Sequence, residues 1–178
     1  PKEDISFILP FADIETAISA VPKIKLAGLS PQSIEFMERD IVDSSANYTG
    51  NKIIPTVIDG KDAGAYILVT LDGNDQDEIF QRAETLAEIG DEIGAYDTLV
   101  LSHPADKRAV WEARSAFLTV IEAETDLIDE MDVVVPVDKI PTFLEYAHEV
   151  GDKYEVRIRS FGHAGDGNLH IYCCANDM

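Results

Sequence analysis

Cysteine is almost absent from this sequence. Two cysteines occur among 178 residues, Cys173 and Cys174, and neighbouring side chains in a strand point to opposite faces of the sheet. The pair is therefore poorly placed for a disulfide or a shared metal, which argues against a disulfide-stabilised secreted domain. We expect free thiols and a cytoplasmic protein.

Basic residues are also scarce. Lys and Arg number 14 against 34 Asp and Glu, so the formal net charge is −20. A surface of this sign repels a phosphate backbone, so no nucleic acid partner is expected. The acidic residues are expected to form a solvated surface or a patch for a basic protein partner.

Long apolar runs are missing as well. No segment has the ~18 consecutive apolar residues of a membrane-spanning helix, so no membrane span is predicted. No Gly-x-Gly-x-x-Gly element is present either, so the sequence offers no dinucleotide cradle. Apolar residues still make up 46% of the chain, enough to bury a core. Because the chain starts at Pro1 without a methionine and stops just as its last strand begins to pair, we expect a piece of a longer protein.

Apolar periodicity and turn residues predict alternating strands and helices. Strands are predicted at Ser6–Phe11, Ser33–Met37, Ala65–Leu71 and Asp97–Leu101, with helices from Asp13 to Pro22, from about Glu38, and over Gln76–Ile93. Residues 44–63 are rich in turn formers and are predicted to be a connection. The order strand, helix, strand, strand, helix, strand predicts an α+β fold, a ferredoxin-like split βαβ antiparallel sheet with helices packed on one face.

The C-terminal part of the chain is predicted to add two helices and more strands. A long helix is predicted from Pro104 to about Ala123, a strand at Asp132–Pro136, a helix from Asp138 to about Val150 ended by Gly151, and a strand from Tyr154 to Phe161. His148 lies near the end of the last helix, where a cation is favoured, and is assigned a structural role.

The densest motif follows that strand and runs from Phe161 to His170. An Asp-Gly pair between apolar runs is a strong signal for a two-residue hairpin turn. With Asp166 and Gly167 as the turn, His163 faces His170, and directly opposed Cβ atoms lie about 5 Å apart. Two imidazoles at this spacing can converge on one metal ion. The alternative is a tight hairpin whose histidines only form hydrogen bonds, because two ligands do not make a metal site.

Arg114 lies on an otherwise apolar stripe of the long helix. Burying a guanidinium costs several kcal/mol unless an anion answers it, and a carboxylate matches its planar fork. From the residues alone, the partner is either an acidic side chain of this protein or an external carboxylate.

The motif Gly162-His163-Ala164-Gly165-Asp166-Gly167-Asn168-Leu169-His170 resembles the Gly-His-x-Gly-Asp-Gly-Asn-x-His signature of FAD-linked oxidases and dehydrogenases. That family includes D-lactate dehydrogenase, the glycolate oxidase flavin subunit and D-2-hydroxyglutarate dehydrogenase. The resemblance extends upstream through Trp111-Glu112-Ala113-Arg114 and Asp132-Val133-Val134-Val135-Pro136. It also touches Ile34-Glu35-Phe36-Met37-Glu38, where we assign Glu35 a structural role and no chemistry.

The resemblance implies a divided active site. Residues 1–178 would form part of the C-terminal substrate or cap domain, with the FAD-binding domain and the extreme C-terminus outside this chain. It implies that Arg114 binds the substrate carboxylate, that His163 and His170 bind a divalent metal (Zn, Mn or Fe), and that Asn168 lies near the flavin. The family's third ligand, a glutamate, and its histidine base fall beyond the last residue, so the fragment alone is expected to be inactive and to bind metal weakly at best.

The same resemblance suggests a substrate and partners. The parent would oxidise a D-2-hydroxy acid to the 2-oxo acid and pass a hydride to FAD, with an electron-transfer flavoprotein or an iron-sulfur subunit as a possible electron acceptor. Glu130 stands where the D-2-hydroxyglutarate enzymes carry a basic residue, and Tyr172 where they carry a polar amide, so a monocarboxylate such as lactate or glycolate is favoured. The alternative from another class is a non-catalytic ferredoxin-like module that binds a small molecule or a partner.

Overall fold

A seven-stranded antiparallel sheet forms the centre of the computed structural model, which describes residues 3–176. Its strands are β1 (Glu3–Phe11), β2 (Ser33–Glu38), β5 (Ala65–Gly73), β6 (Leu99–Leu101), β7 (Leu127–Val134), β8 (Arg157–His163) and β9 (Asn168–Ala175), in the spatial order β6-β1-β5-β2-β8-β9-β7. A separate short hairpin is formed by β3 (Val57–Ile58) and β4 (Lys61–Asp62). The helices are α1 (Ile14–Leu26), α2 (Arg39–Thr49), α3 (Gln76–Ile93), α4 (Pro104–Ser115), α5 (Phe117–Glu124) and α6 (Ile140–Tyr154).

The first half of the chain is a split βαβ unit, as predicted. β5 lies between β1 and β2, and β1 lies between β5 and β6, so both crossovers that carry α1 and α3 skip one strand. Local signals define the helices: the side chain of Asp13 accepts a hydrogen bond from the Thr16 N–H, and Asp75 does the same for Glu78. The α+β class and the antiparallel sheet are confirmed.

The second half extends the sheet beyond β2. β8 pairs with β2, β9 pairs with β8, and β7 forms the outer edge, all in antiparallel register. The α6 helix joins β7 to β8, which repeats the split pattern because β9 inserts between them. This extension places the motif hairpin β8–β9 directly beside β2.

Helices cover both faces of the sheet, a second layer beyond the single one predicted. The helices α1, α3 and α6 pack on one face, whose core includes Phe7, Phe36 and Ile171. The helices α2, α4 and α5 pack on the other face, around Phe117 and Phe161. Alternate residues of each central strand therefore enter two different cores, and Cys173 and Cys174 do divide between them as free thiols.

Several predicted helix boundaries are wrong. The α1 helix continues past Pro22 to Leu26, since a proline interrupts one backbone hydrogen bond while the buried side chains on either side keep the helix packed. Gly151 lies inside α6, where a Cβ would come within 2.5 Å of the Val156 oxygen. The helix ends instead at Tyr154, and the residue that follows, Glu155, has a left-handed conformation. The connection predicted at residues 44–63 begins as helix α2, and the predicted long helix is interrupted at Ala116.

No helix within residues 3–176 is long and apolar enough to cross a bilayer.

Candidate functional site

The buried carboxylate of Glu35 contacts both segments to which the sequence assigns chemistry, the helix that contains Arg114 and the motif that contains His163. Glu35 lies on β2 with its side chain 3% exposed, on the face covered by α4 and α5. Its Oε2 accepts a hydrogen bond from Arg114 Nη2 at 3.1 Å, and its Oε1 lies 2.5 Å from His163 Nδ1. Arg114 and His163 are thereby brought to one place from α4 and from the end of β8.

The guanidinium of Arg114 is held on several sides. Its side chain is 13% exposed, and its central carbon lies 4.4 Å from the centre of the Phe161 ring. Burial lowers the pKa of Arg114, and the carboxylate of Glu35 opposes that shift. Within residues 3–176, Arg114 Nε is buried without a hydrogen-bond partner. The acidic partner of Arg114, which the sequence did not identify, is thus Glu35. The Nε atom of the guanidinium has no partner among the described residues.

The two motif histidines lie on the same face of the sheet, but the predicted turn is wrong. Gly167 has a φ of +73°, whereas Asp166 does not have the positive φ that a two-residue turn of this kind needs at both positions. Residues 164–167 instead form a four-residue connection that includes a 3₁₀ turn. The observed register pairs His163 with Asn168 and Phe161 with His170.

The observed register of the hairpin differs from the predicted one, but the two histidine rings still lie close together. A shift of two residues keeps every side chain on its face, so His163 and His170 become diagonal neighbours. Their ring centres lie 6.0 Å apart. The Phe161 ring lies 5.6 Å from His170 and 5.4 Å from Tyr172, and so connects the histidines to Arg114.

Acidic side chains of the edge strand β7 border His170. Within the described part of the chain, His170 Nδ1 is buried and has no hydrogen-bond partner; the Glu130 and Asp132 oxygens lie 3.7 and 4.0 Å away. Glu130 accepts a hydrogen bond from the Tyr172 hydroxyl at 2.9 Å. The pKa of Tyr172 is raised, mainly by burial and in second place by this hydrogen bond. Asp132 accepts a hydrogen bond from the Asn168 side chain at 2.7 Å, which fixes that amide at the rim of the site.

A cavity of about 310 Å³ opens beside Glu35 and His163. Its other walls come from the segment before β2 and from the hairpin connection, where Lys25 donates a hydrogen bond to the Gly165 carbonyl. This volume is at the small end of ligand pockets, which measure about 300–1,000 Å³. Neither Arg114 nor His170 is among the residues that line the cavity.

Comparison with known proteins identifies the family. The model of the family described as "FAD linked oxidases, C-terminal domain" matches residues 1–177. This chain belongs to that family. A D-lactate dehydrogenase of Anaerostipes hadrus is 44% identical to this FAD-linked oxidase domain over 178 residues, and glycolate oxidase subunit GlcD of Bacillus subtilis (strain 168) is 26% identical over 176 residues.

The match to the Anaerostipes hadrus protein spans 100% of this chain and 38% of that protein, and the match to the Bacillus subtilis protein spans 97% of this chain and 35% of that protein. This chain therefore corresponds to little more than a third of the length of these relatives. The same fold is present in the solved structure of 4-ethylphenol oxidase from Gulosibacter chungangensis in its isoeugenol complex, with a TM-score of 0.64 and 12% identity over 97% of this chain and 39% of that one. An alkyldihydroxyacetonephosphate synthase structure matches with a TM-score of 0.61 and 15% identity.

The metal predicted for this FAD-linked oxidase domain has two candidate donors. With metal–nitrogen bonds of about 2.0–2.1 Å, two imidazoles on one tetrahedral ion have centres about 5 Å apart, close to the 6.0 Å between His163 and His170. Within residues 3–176, however, no group of three His, Cys, Asp or Glu side chains is placed to hold an ion. The described residues therefore do not make a complete metal site, and His163 and His170 stay a predicted pair of ligands.

Sequence reasoning did not find the partners of Glu35. A structural role without chemistry is expected for it, and the structure shows that it lies within β2 and contacts both Arg114 and His163. A glutamate at an inward position of a strand that is otherwise apolar, Ile34-Glu35-Phe36-Met37, was the available signal, since carboxylates are rarely buried without a partner.

Proposed function

We propose that this domain forms the substrate-side half of a longer flavin-dependent oxidoreductase that oxidises a D-2-hydroxy acid of the D-lactate or glycolate type. The observation that carries the proposal is one shared face on which Glu35 contacts both Arg114 and His163. On the same face the Phe161 ring contacts both Arg114 and His170. The 44% identity with a protein named D-lactate dehydrogenase supports the same reaction class.

The guanidinium of Arg114 is assigned to the substrate carboxylate. Its pairing with Glu35 uses one nitrogen, and a planar guanidinium has five N–H groups, so donors remain for a second anion. The Phe161 ring beneath it holds the fork in a fixed orientation. A 2-hydroxy acid bound here by its carboxylate would direct its hydroxyl group toward the histidines.

The histidines are assigned to the hydroxyl end of the substrate. His163 and His170 would supply two of the ligands of a divalent metal, with the third from outside this chain. Such a metal, when bound, lowers the pKa of the hydroxyl it contacts, and FAD, when bound, supplies the hydride acceptor. Asn168, at the rim beside His163, is the residue of this chain assigned to the flavin side.

Local charge supports both the metal and a small substrate. Glu35, Glu130 and Asp132 outnumber Arg114 around the site, so an anion binds there only if further positive charge is supplied. A second carboxylate on the substrate would meet Glu130 and Asp132 without a cation between them. This arrangement favours a monocarboxylate over a dicarboxylate such as 2-hydroxyglutarate.

The domain is not proposed to act alone. The dinucleotide cradle would come from an N-terminal domain of the parent protein, and the base and the third metal ligand from residues after this chain. We expect the 178-residue chain by itself to be inactive and to bind zinc or manganese weakly. The acidic surface leaves an electron-transfer flavoprotein or an iron-sulfur subunit as candidate electron acceptors.

The test is a substrate comparison with the flavin-loaded parent oxidoreductase and a dye as electron acceptor. D-Lactate or glycolate should be oxidised with a higher kcat/KM than D-2-hydroxyglutarate. Arg114→Gln should lower kcat/KM by about 10- to 150-fold, since hydrogen bonds to charged groups contribute roughly 1.5–3 kcal/mol.

The matched control is Arg108→Gln on the same helix. Arg108 is exposed and forms a surface pair with Glu112 at 3.9 Å, so its loss should leave kcat/KM unchanged. A parent protein that oxidises none of these acids, or an Arg114→Gln variant as active as the unaltered enzyme, would favour the non-catalytic binding module instead.

A further inference from the structure

Glu35 is a buried carboxylate to which the proposed reaction gives no role. Each of its oxygens is committed to a different residue of the site, Oε1 to His163 and Oε2 to Arg114. These residues are 128 and 79 positions away in the sequence, so the contacts exist only in the folded protein. The Glu35 carboxylate is 3% exposed and lies between these two groups.

We propose that Glu35 is a positioning residue: its carboxylate fixes the tautomer of His163 and the orientation of the Arg114 guanidinium at the same time. This inference rests on the proposed function, because it gives Glu35 its role through the substrate-binding face. Glu35 itself touches neither the substrate nor a cofactor in this account.

The tautomer follows from the hydrogen-bonding chemistry. A carboxylate accepts hydrogen bonds, so the ring nitrogen that faces it, His163 Nδ1, carries the hydrogen. The other nitrogen, Nε2, then has a free lone pair. Because the His163 side chain is 54% exposed, that lone pair is available to a ligand in solution or to a metal. Carboxylates that orient a histidine in this way are widespread behind metal ligands.

The orientation of Arg114 follows from the second oxygen. Glu35 Oε2 takes one Nη2 hydrogen, and the Phe161 ring lies under the guanidinium plane. These two contacts fix the rotation of the fork, which leaves the same N–H groups facing any bound anion. Without the carboxylate, the guanidinium would keep its charge but lose this restraint.

The isosteric variant Glu35→Gln tests the inference with a readout that a packing role alone would not change. Arg114 can only donate hydrogen bonds, so the new amide must turn its oxygen to Arg114 and its NH₂ group to His163. His163 Nδ1 must then accept, and its hydrogen moves to Nε2. The variant should therefore invert the tautomer of His163 while it retains the volume of the side chain.

Nitrogen-15 NMR of histidine-labelled protein measures the tautomer directly. Spectra of the 178-residue chain at a pH of about 8.5, two units above the ordinary histidine pKa of about 6.5, show which ring nitrogen carries the hydrogen. His163→Gln identifies the His163 signals. We expect hydrogen on Nδ1 in the unaltered chain and on Nε2 in Glu35→Gln. Hydrogen on Nε2 in both proteins, or on Nδ1 in both, would overturn the inference.

Glu38→Gln is the matched control, because Glu38 is a buried glutamate of the same strand on the opposite face. Its Oε2 lies 2.9 Å from His148 Nε2, and it has no contact with His163 among the residues that the structure describes. This variant should change the His148 signals and leave those of His163 as they were. A change at His163 in both variants would mean that general loosening of β2, and not the carboxylate of Glu35, sets the tautomer.

Kinetics of the parent oxidoreductase separate this inference from the proposed function. Glu35→Gln should lower kcat/KM for the 2-hydroxy acid by about 10- to 100-fold, the usual loss when a residue behind a metal ligand is replaced. An unchanged kcat/KM despite an inverted tautomer would overturn the positioning role and leave the proposed function standing. An unaltered parent with no activity on any 2-hydroxy acid would instead defeat the proposed function, while the NMR result would still report whether Glu35 orients His163.

Discussion

Two buried charged residues, Glu35 and Arg159, each form ion pairs on the same face of the sheet. On the face that carries the candidate site, Glu35 is answered by Arg114 and His163. Further along β8 on the same face, Arg159 has 0% side-chain exposure and donates to Asp40 of α2 and Glu124 of α5, each at 2.8 Å. In the first group the His163 side chain is half exposed, whereas in the second group Arg159 is fully buried and ties two helices to the sheet.

Replacing Arg159 by methionine should destabilise the domain strongly. The methionine fills much of the volume but leaves Asp40 and Glu124 with only the half-exposed Arg157 as a cation. Breaking a buried pair by removing one partner costs about 3–5 kcal/mol. We expect a value near the lower end, because Asp40 and Glu124 are themselves partly exposed to water. Urea unfolding of the 178-residue chain measures the change in the free energy of unfolding.

Arg108→Met provides the comparison for that measurement. It removes an exposed arginine whose surface pair contributes about 0–1 kcal/mol. Equal unfolding midpoints for Arg159→Met and Arg108→Met would show that the pairing of Arg159 with Asp40 and Glu124 does not stabilise the domain.

His148 should make stability depend on pH. Its hydrogen bond to Glu38 raises its pKa, an effect opposed by burial and reinforced by the charges of Glu38, Asp152 and Asp40. A histidine with a raised pKa in the folded state contributes stability that is fully present below the unfolded pKa of about 6.5 and is lost as the pH rises through the folded pKa. The structural role assigned to His148 from its sequence position agrees with this contact.

Melting temperatures of the unaltered chain and of His148→Gln between pH 5 and pH 9 test this prediction. The difference in favour of histidine should be largest at the acid end and should shrink above the raised pKa. A difference that is constant over the range, or that grows toward alkaline pH, would exclude the charged His148–Glu38 pair as its source.

Among the elements, the β8–β9 hairpin shows what a local motif can and cannot specify. The Asp-Gly pair correctly predicted that the chain reverses there and that both histidines share a face. It did not predict the four-residue connection, because the backbone of Gly167 is held by contacts from another strand: its carbonyl accepts from the Val135 N–H at 2.9 Å. The register of the hairpin is therefore set partly by β7 and its continuation.

Gly167→Ala should disturb this hairpin. Gly167 has a φ of +73°, and a Cβ there would lie 2.2 Å from the Val135 oxygen, a backbone atom that cannot turn away. We expect a loss of at least about 1–3 kcal/mol, the usual cost of such a strained residue, measured by chemical unfolding.

Gly165→Ala, two residues away, is the control. A Cβ at this position would make only an ordinary contact with Ile34 at 3.6 Å, and its φ is not in the left-handed region. This variant should keep nearly full stability. If both alanine variants unfold alike, the steric account of the connection is wrong.

At the scale of the whole molecule, local patterns predicted the order of the elements and the sheet class. The boundaries of α3 follow from apolar periodicity, and the existence of β5 follows from its continuous run of apolar residues, so both were predictable. The second helical layer and the partner of Arg114 were not, since they depend on contacts between distant segments such as Glu35 and Arg114. The two contacts of Glu35 could not be predicted for the same reason, because Arg114 and His163 are distant from it in the sequence.

We propose that a 2-hydroxy acid binds with its carboxylate at Arg114 and its hydroxyl toward the histidine pair. A crystal structure of the parent oxidoreductase with bound D-lactate would locate both groups. We expect carboxylate oxygens within about 2.7–3.2 Å of the Arg114 guanidinium nitrogens, with the hydroxyl oxygen on the side of His163 and His170. D-Lactate bound elsewhere, with Arg114 paired to Glu35 alone, would contradict it.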